Sequence, residues 1–175
     1  MQLNCIIHKL NIKEKVLYKI VKSQLGDIGI VWQNQKIIHI FLPGLHKKMV
    51  TVIHDVYKYP VLSSSRYFDS LCKEIEQYLE GKKRIFSIDS INLSRIYSFQ
   101  KRVLLLERKI PYGWISTYGR LAKKLGIPKG AQAIGQALAR NPFPIIIPCH
   151  RTIMANGSLG GFQGGLKLKR RLLEN

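Results

Sequence analysis

The sequence predicts an α/β (α+β) protein in two parts, a small amino-terminal α/β domain over residues 1–90 and a mostly helical domain over residues 91–175. Three observations carry this. The first half holds a hairpin signal followed by a helix signal, the second half holds only helical periodicities broken by Gly and Pro, and a polar stretch from Asp89 to Ser94 without hydrophobic periodicity separates them. At 175 residues the chain can bury one good core or two small ones, and 46% hydrophobic with 22% charged content is that of a globular protein.

Gly29-Ile30-Val31-Trp32 and Lys36-Ile37-Ile38-His39-Ile40-Phe41-Leu42, joined by Gln33-Asn34-Gln35, form the hairpin, which Pro43-Gly44 ends. His39 is expected on one strand face without a function. Leu71, Ile75, Tyr78 and Leu79 recur at helical spacing and read as core, with Gly81 as the stop. Lys82-Lys83-Arg84 reads as a solvated turn. Phe99, Val103, Leu106 and Ile110 make one stripe of an amphipathic helix that Pro111 and Gly113 end. Ser116 or Thr117 can cap the next helix, which turns Leu121, Ala122 and Leu125 inward and stops at Gly126. Pro128 suits the first turn of a third helix through Ala131, Ala133, Ile134, Ala137 and Leu138. Two short helices joined at a Gly-containing turn read as a helix-turn-helix.

The most informative segment is Ile145-Ile146-Ile147-Pro148-Cys149-His150-Arg151, a thiol and an imidazole side by side after an apolar, strand-like run. A thiol of ordinary pKa, about 8.5, is only a few per cent thiolate at neutral pH, so a reactive one needs a base or a positive charge, and His150 and Arg151 could supply either. A small buried hydrophobe is the competing reading for a Cys beside three Ile residues. Charge points to a polyanion: 29 Lys+Arg against 10 Asp+Glu give +19. Residues 101–175 hold 14 basic and 2 acidic residues, net +12, so the half with the Cys-His pair is the more basic one. The third helix is unusually small-sided, with Gly130, Ala131, Ala133, Gly135, Ala137 and Ala139. Glycine inside a helix is costly, so either tight helix packing or a partner outside the chain requires close approach. Three Cys, at 5, 72 and 149, with no export signal and no apolar stretch long enough to span a bilayer, imply reduced thiols in a soluble intracellular protein. Cys5-x-x-His8 could be half of a metal site, but no second pair at ligand spacing accompanies it, and no metal is expected.

Phe99-Gln100, Ile110-Pro111-Tyr112-Gly113, Ser116-Thr117-Tyr118-Gly119-Arg120-Leu121-Ala122, Asn141-Pro142, Pro148-Cys149-His150-Arg151 and Gly160-Gly161-Phe162-Gln163-Gly164-Gly165 stand in an order and spacing that closely resembles the O6-alkylguanine-DNA alkyltransferases, also called methylated-DNA–protein-cysteine methyltransferases. The resemblance runs from about Phe99 to Leu173. It implies a ribonuclease H-like antiparallel sheet in the first domain and a winged helix-turn-helix-like element in the second. It further implies repair by direct reversal, in which an alkylated guanine is flipped from duplex DNA and its alkyl group passes irreversibly to Cys149. His150 would take the thiol proton through a water, Tyr118 would crowd the phosphate and hydrogen-bond the leaving base, and Asn141 would brace the turn beneath the Cys. Tyr118, Thr152, Phe162 and Gln163 would form the base pocket, in which backbone groups at Cys149, Thr152 and Gln163 would read the flipped base. The third helix, with Gly130, Ala131, Gln132, Ala133 and Gly135, would lie in the minor groove, joined on the DNA by Tyr118 and Arg151.

Three departures stand out. Gln132 occupies the position of the family's intercalating Arg, and Phe162 stands where many relatives have Tyr. The Glu that orients the His in relatives would fall at position 176, which leaves Glu174 as the only nearby acid. Some members of the family carry zinc in the amino-terminal domain. The resemblance implies no cofactor, double-stranded DNA with an alkylated guanine as partner, no membrane, a monomer, and a cytoplasmic, nucleoid-associated place, nuclear in a eukaryote. The alternatives are an alkyltransferase-like module that binds damage without chemistry, in which the Cys is replaced, and a Cys-His hydrolase, for which no oxyanion-hole signature is present.

Overall fold

Strands β1 (Leu17–Val21), β2 (Ile28–Gln33) and β3 (Lys36–Phe41) run antiparallel, and between β2 and β3 Asn34 and Gln35 both adopt positive φ, 51° and 57°, the geometry that closes a two-residue hairpin with the right twist. A computed structural model describes residues 15–44, 47–63, 66 and 68–175 of the chain. Cys5 and His8, the half metal site, lie outside the described residues. A two-residue strand β4 (Val61–Leu62) pairs parallel with β1, giving the order β3-β2-β1-β4. The sheet is therefore antiparallel-rich, with one parallel pair between β1 and β4.

Both sheet faces are covered. Helix α1 (Met49–Val56) packs Met49, Val52 and Ile53 onto Tyr18, Val31, Ile38 and Phe41. It comes so close at Gly29 that a Cβ there would lie 2.9 Å from both Ile53 and Met49. On the other face Ile30, Trp32, Ile37 and Ile40 meet Cys72, Ile75, Tyr78 and Leu79 of helix α2 (Asp69–Leu79), and this core continues without a break into Val103, Leu104, Ile134 and Ile147. His39 stacks on Phe41 and hydrogen-bonds Tyr57, and burial pulls its pKa down to about 4.

The polar stretch at the expected junction is ordered. It forms short 3-10 turns at Ile88–Ser90 and Leu93–Arg95, capped by the side chains of Ser87 and Asn92. Asn92 N–H donates to Ile37 O at 2.8 Å, so this segment runs along the edge of β3.

Beyond it lie α3 (Ser98–Glu107), β5 (Ser116–Thr117), α4 (Tyr118–Lys124), α5 (Ala131–Ala139), β6 (Thr152–Ile153) and α6 (Gly165–Glu174), with β5 and β6 paired in parallel. Thr117 caps α4 by accepting from Arg120 N–H. Pro128 falls in the turn before α5, not in its first turn, and Gly130 is the N-cap. The buried face of α3 is Gln100, Val103, Leu104 and Glu107, while Phe99 and Leu106 are only half-buried. The stripe is rotated because its polar members find partners: Gln100 Nε2 donates to the carbonyls of Ala137 (3.1 Å) and Arg140 (2.8 Å), tying α3 to the end of α5. Among the described residues no helix is long and apolar enough to cross a membrane.

Candidate active site

The apolar run before Cys149 is a turn and not a strand. Pro144 and Ile147 bridge across it, Ile147 N–H donates to Phe143 O at 2.8 Å, and Ile145 sits at φ 74° although β-branched. Such a residue in the left-handed region costs roughly 1–3 kcal/mol, and burial of Ile145, Ile146 and Ile147 in the core holds it there. The side chain of Asn141 ties the turn from inside. Its Oδ1 accepts from Phe143 N–H at 2.9 Å, and its Nδ2 donates to Ile147 O at 3.0 Å and to Cys149 Sγ at 3.2 Å. The chain then enters a single 3-10 turn, Cys149–Arg151, that fixes the thiol and the imidazole together.

Cys149 is 6% exposed and forms part of the wall of a cavity of about 830 Å³. Tyr118, Gln132, Gly135, Phe162 and Gln163 line the same cavity. Burial pushes the thiol up to about 12, against which the Asn141 hydrogen bond and the Lys169 ammonium pull downward. Burial, then Arg151 and Lys169, push His150 down to about 3. The resting pair is thus a thiol beside a neutral imidazole. Its hydrogen-bond partner is Tyr78 of α2: Oη and His150 Nε2 are 2.8 Å apart and both groups are buried. Tyr78 Oη also accepts from Arg151 Nη2 at 3.1 Å. Glu174 is exposed on the last turn of α6 and is not that partner. His150 Nδ1 is buried with no hydrogen-bond partner among the described residues.

Tyr118 opens α4 with its ring against α5. A Cβ on Gly135 would stand 3.8 Å from that ring, and one on Gly160, at φ 67°, would stand 2.9 Å from Tyr118 Oη. Ala131, Gln132 and Gly135 face the cavity, whereas Ala137 is buried against the core, so the small residues of α5 serve two faces. Ala133 is exposed outside the cavity wall, and Gly130 abuts Ile127. The Phe162 and His150 rings meet in a T-shaped arrangement, and Gln163 Nε2 donates to Ala139 O and Asn141 O, fixing the far wall.

Two expected residues lie elsewhere. Arg151 points away from the cavity, because its guanidinium is used inward: Nη1 donates to Ile110 O at 2.7 Å and the group lies over the Tyr112 ring. Thr152 lies fully buried behind the cavity wall, its Oγ1 2.6 Å from Glu107 Oε2 and its carbonyl accepting from Lys169 Nζ at 2.7 Å. That buried Glu107–Thr152–Lys169 cluster was absent from the sequence reading, as was any role for Tyr78 beyond core. Burial raises Glu107 to about 7 and lowers Lys169. Its signal lay in plain view: charged residues at positions 107 and 169 of otherwise amphipathic helices, on or beside the apolar stripe. Among the described residues no three His, Cys, Asp or Glu converge as a metal site.

Known proteins share this sequence pattern and this architecture. The family profile described as 6-O-methylguanine DNA methyltransferase, DNA binding domain, matches residues 98–175. The methylated-DNA–protein-cysteine methyltransferase of Methanothermobacter thermautotrophicus is 35% identical, over 99% of this chain and 94% of its own length. That of Methanosarcina acetivorans is also 35% identical, over 90% and 96%. The crystal structure of Mycobacterium tuberculosis OGT in complex with DNA superposes with a TM-score of 0.77 at 29% identity, covering 91% of both chains. The M. tuberculosis O6-methylguanine methyltransferase structure gives 0.76 at 30%. With sequence likeness running through the first half as well as the motif-bearing second, the chain belongs to the methylated-DNA–protein-cysteine methyltransferase family.

Proposed function

We propose that this protein repairs O6-alkylguanine in duplex DNA by taking the alkyl group onto Cys149. The observation that carries the reading is a cavity large enough for a flipped base, lined by the thiol, Tyr118 and Gln132. A base inside the stack cannot reach a thiol recessed in a protein, so the nucleotide must leave the helix. Sγ forms a bond to the saturated carbon while the carbon–O6 bond breaks and its electron pair leaves with guanine. The thiol proton passes to His150, and the guanine recovers a proton, with Tyr118 as hydrogen-bond donor to the departing ring. A thioether has no easy hydrolysis route, so each molecule acts once and no cofactor is required.

In this reading residues 91–175 carry transfer and DNA binding, residues 1–90 support them, and the protein acts as a monomer. Helix α5 enters the minor groove with its Ala131–Gly135 face, where slim residues fit and recognition is largely independent of sequence. Gln132 fills the vacated stack. A damage-binding module without chemistry is disfavoured by the presence of Cys149. Incubation with an O6-methylguanine duplex followed by intact mass and peptide mapping tests the whole: one methyl group is expected on Cys149, none on Cys149→Ser, and DNA binding should survive that change. Multiple turnovers, or a methyl on Cys72, would sink it. Gln132→Gly should slow transfer from duplex DNA and spare free O6-benzylguanine, which needs no flipping.

A further inference from the structure

We infer that Tyr78, contributed by the amino-terminal half, is the positioning residue of the reaction: its phenol holds His150 in the orientation and tautomer that can accept the Cys149 proton. The inference rests on the proposed transfer to Cys149 and deepens it.

Four observations converge. Tyr78 Oη lies 2.8 Å from His150 Nε2, and both side chains are almost completely buried, Tyr78 at 3% and His150 at 1% exposed. The same oxygen accepts Arg151 Nη2 at 3.1 Å, and Arg151 is itself pinned by Ile110 O at 2.7 Å, so the phenol sits at a fixed point. The Tyr78 ring meets Phe86, Tyr112 and the imidazole edge-on, which leaves it little freedom to swing. Finally, the other ring nitrogen, Nδ1, is buried and has no hydrogen-bond partner among the described residues.

For Nδ1 to receive a proton, it must be unprotonated, and a neutral imidazole then carries its hydrogen on Nε2. Nε2–H donates to Tyr78 Oη, whose second lone pair takes the Arg151 N–H. The phenolic hydrogen is left to turn toward the crevice of about 330 Å³ that Tyr78, Arg151 and Tyr112 line. A carboxylate in this place would favour imidazolium by its charge. A phenol orients without charge, and the ionisable groups around it and the imidazole are Arg151, Lys169, Tyr112 and Cys149. The imidazole therefore takes its proton only while the thiol is being alkylated, and yields it once the guanine has left.

Full-length wild type and Tyr78→Phe decide the matter. Single-turnover transfer from free O6-benzylguanine should slow about tenfold or more at saturation, the range of a positioned proton acceptor, with apparent Kd within about twofold. In wild type the nitrogen-15 shifts of the His150 ring should report hydrogen on Nε2, and in Tyr78→Phe a redistribution between the two nitrogens. A wild-type ring with its hydrogen on Nδ1 would overturn the inference whether or not the variant folds. So would a variant that transfers at the wild-type rate, or one that loses rate and thermal midpoint together with an unchanged tautomer. Absence of alkyl transfer by wild type would instead overturn the function on which the inference rests.

Discussion

A carboxyl group with no exposure, such as that of Glu107, keeps its proton unless neighbours outweigh the loss of water. Burial raises it to about 7, against the downward pull of the Thr152 hydrogen bond and of Lys169 and Arg151. The native state holds this proton where the unfolded chain, titrating at about 4.3, has released it. The group's contribution to stability is therefore complete below the unfolded value and declines as pH rises toward 7. Glu107→Gln keeps the shape and removes the titration, so it should gain on wild type by on the order of 3 kcal/mol at pH 8 and by little at pH 4, read as urea midpoints. His150 has the opposite sign. Its folded pKa of about 3 lies below the unfolded value, so its contribution is present above about 6.5 and lost as pH falls toward 3. The family resemblance brought Cys149, His150, Tyr118, Asn141 and Gln163 to one site. Periodicity missed Tyr78, Glu107 and Lys169 because a periodic helix position says that a side chain is buried, not what its polar atom meets.

Helix α5 shows how an element can answer two demands at once. Ala137 is small because Gln100 and the core press on it, while Gly135 is small beside Tyr118 and the cavity. A methyl group at Gly135 meets only the Tyr118 ring at 3.8 Å, an ordinary contact. Gly135→Ala should therefore stabilise the protein by about 0.5–1 kcal/mol, as glycine replacement within a helix does. If that face enters the groove, the same change should weaken binding to duplex DNA severalfold, so melting and titration should move in opposite senses. A stabilised variant with unaltered affinity would remove α5 from the groove. The hairpin, α2 and the helix-turn-helix were legible from periodicity and turn residues. The segment before Cys149 was not, since three successive Ile residues suggest extended chain, and only the Asn141 side chain and the Phe143 carbonyl fold them into a turn. Strands β1 and β4 and helix α1 escaped for lack of length or clean alternation, and the sheet supplies their order through pairing.

Charge belongs to the molecule as a whole. With +19 on 175 residues, affinity for duplex DNA should fall with salt along a log-log slope of about 0.9 for each phosphate neutralised. Flat affinity from 50 to 200 mM salt would exclude a backbone-dominated interface. The two halves whose boundary the sequence suggested share one core: Ile40 N–H donates to Pro142 O at 2.8 Å, and α2 reaches His150. Periodicity and a polar stretch told the halves apart, but only tertiary contact could join them.

The packing around Cys149 has a consequence for what remains after the event. Asn141 and the core close the thiol in on its inner side, so a newly attached group has only the cavity to occupy. The adduct thus comes to rest in the seat from which it was taken, and the spent protein carries its own obstruction. A larger alkyl group fills more of that space, so spent molecules should differ by the lesion they met, the benzylated form readmitting a damaged base less readily than the methylated one.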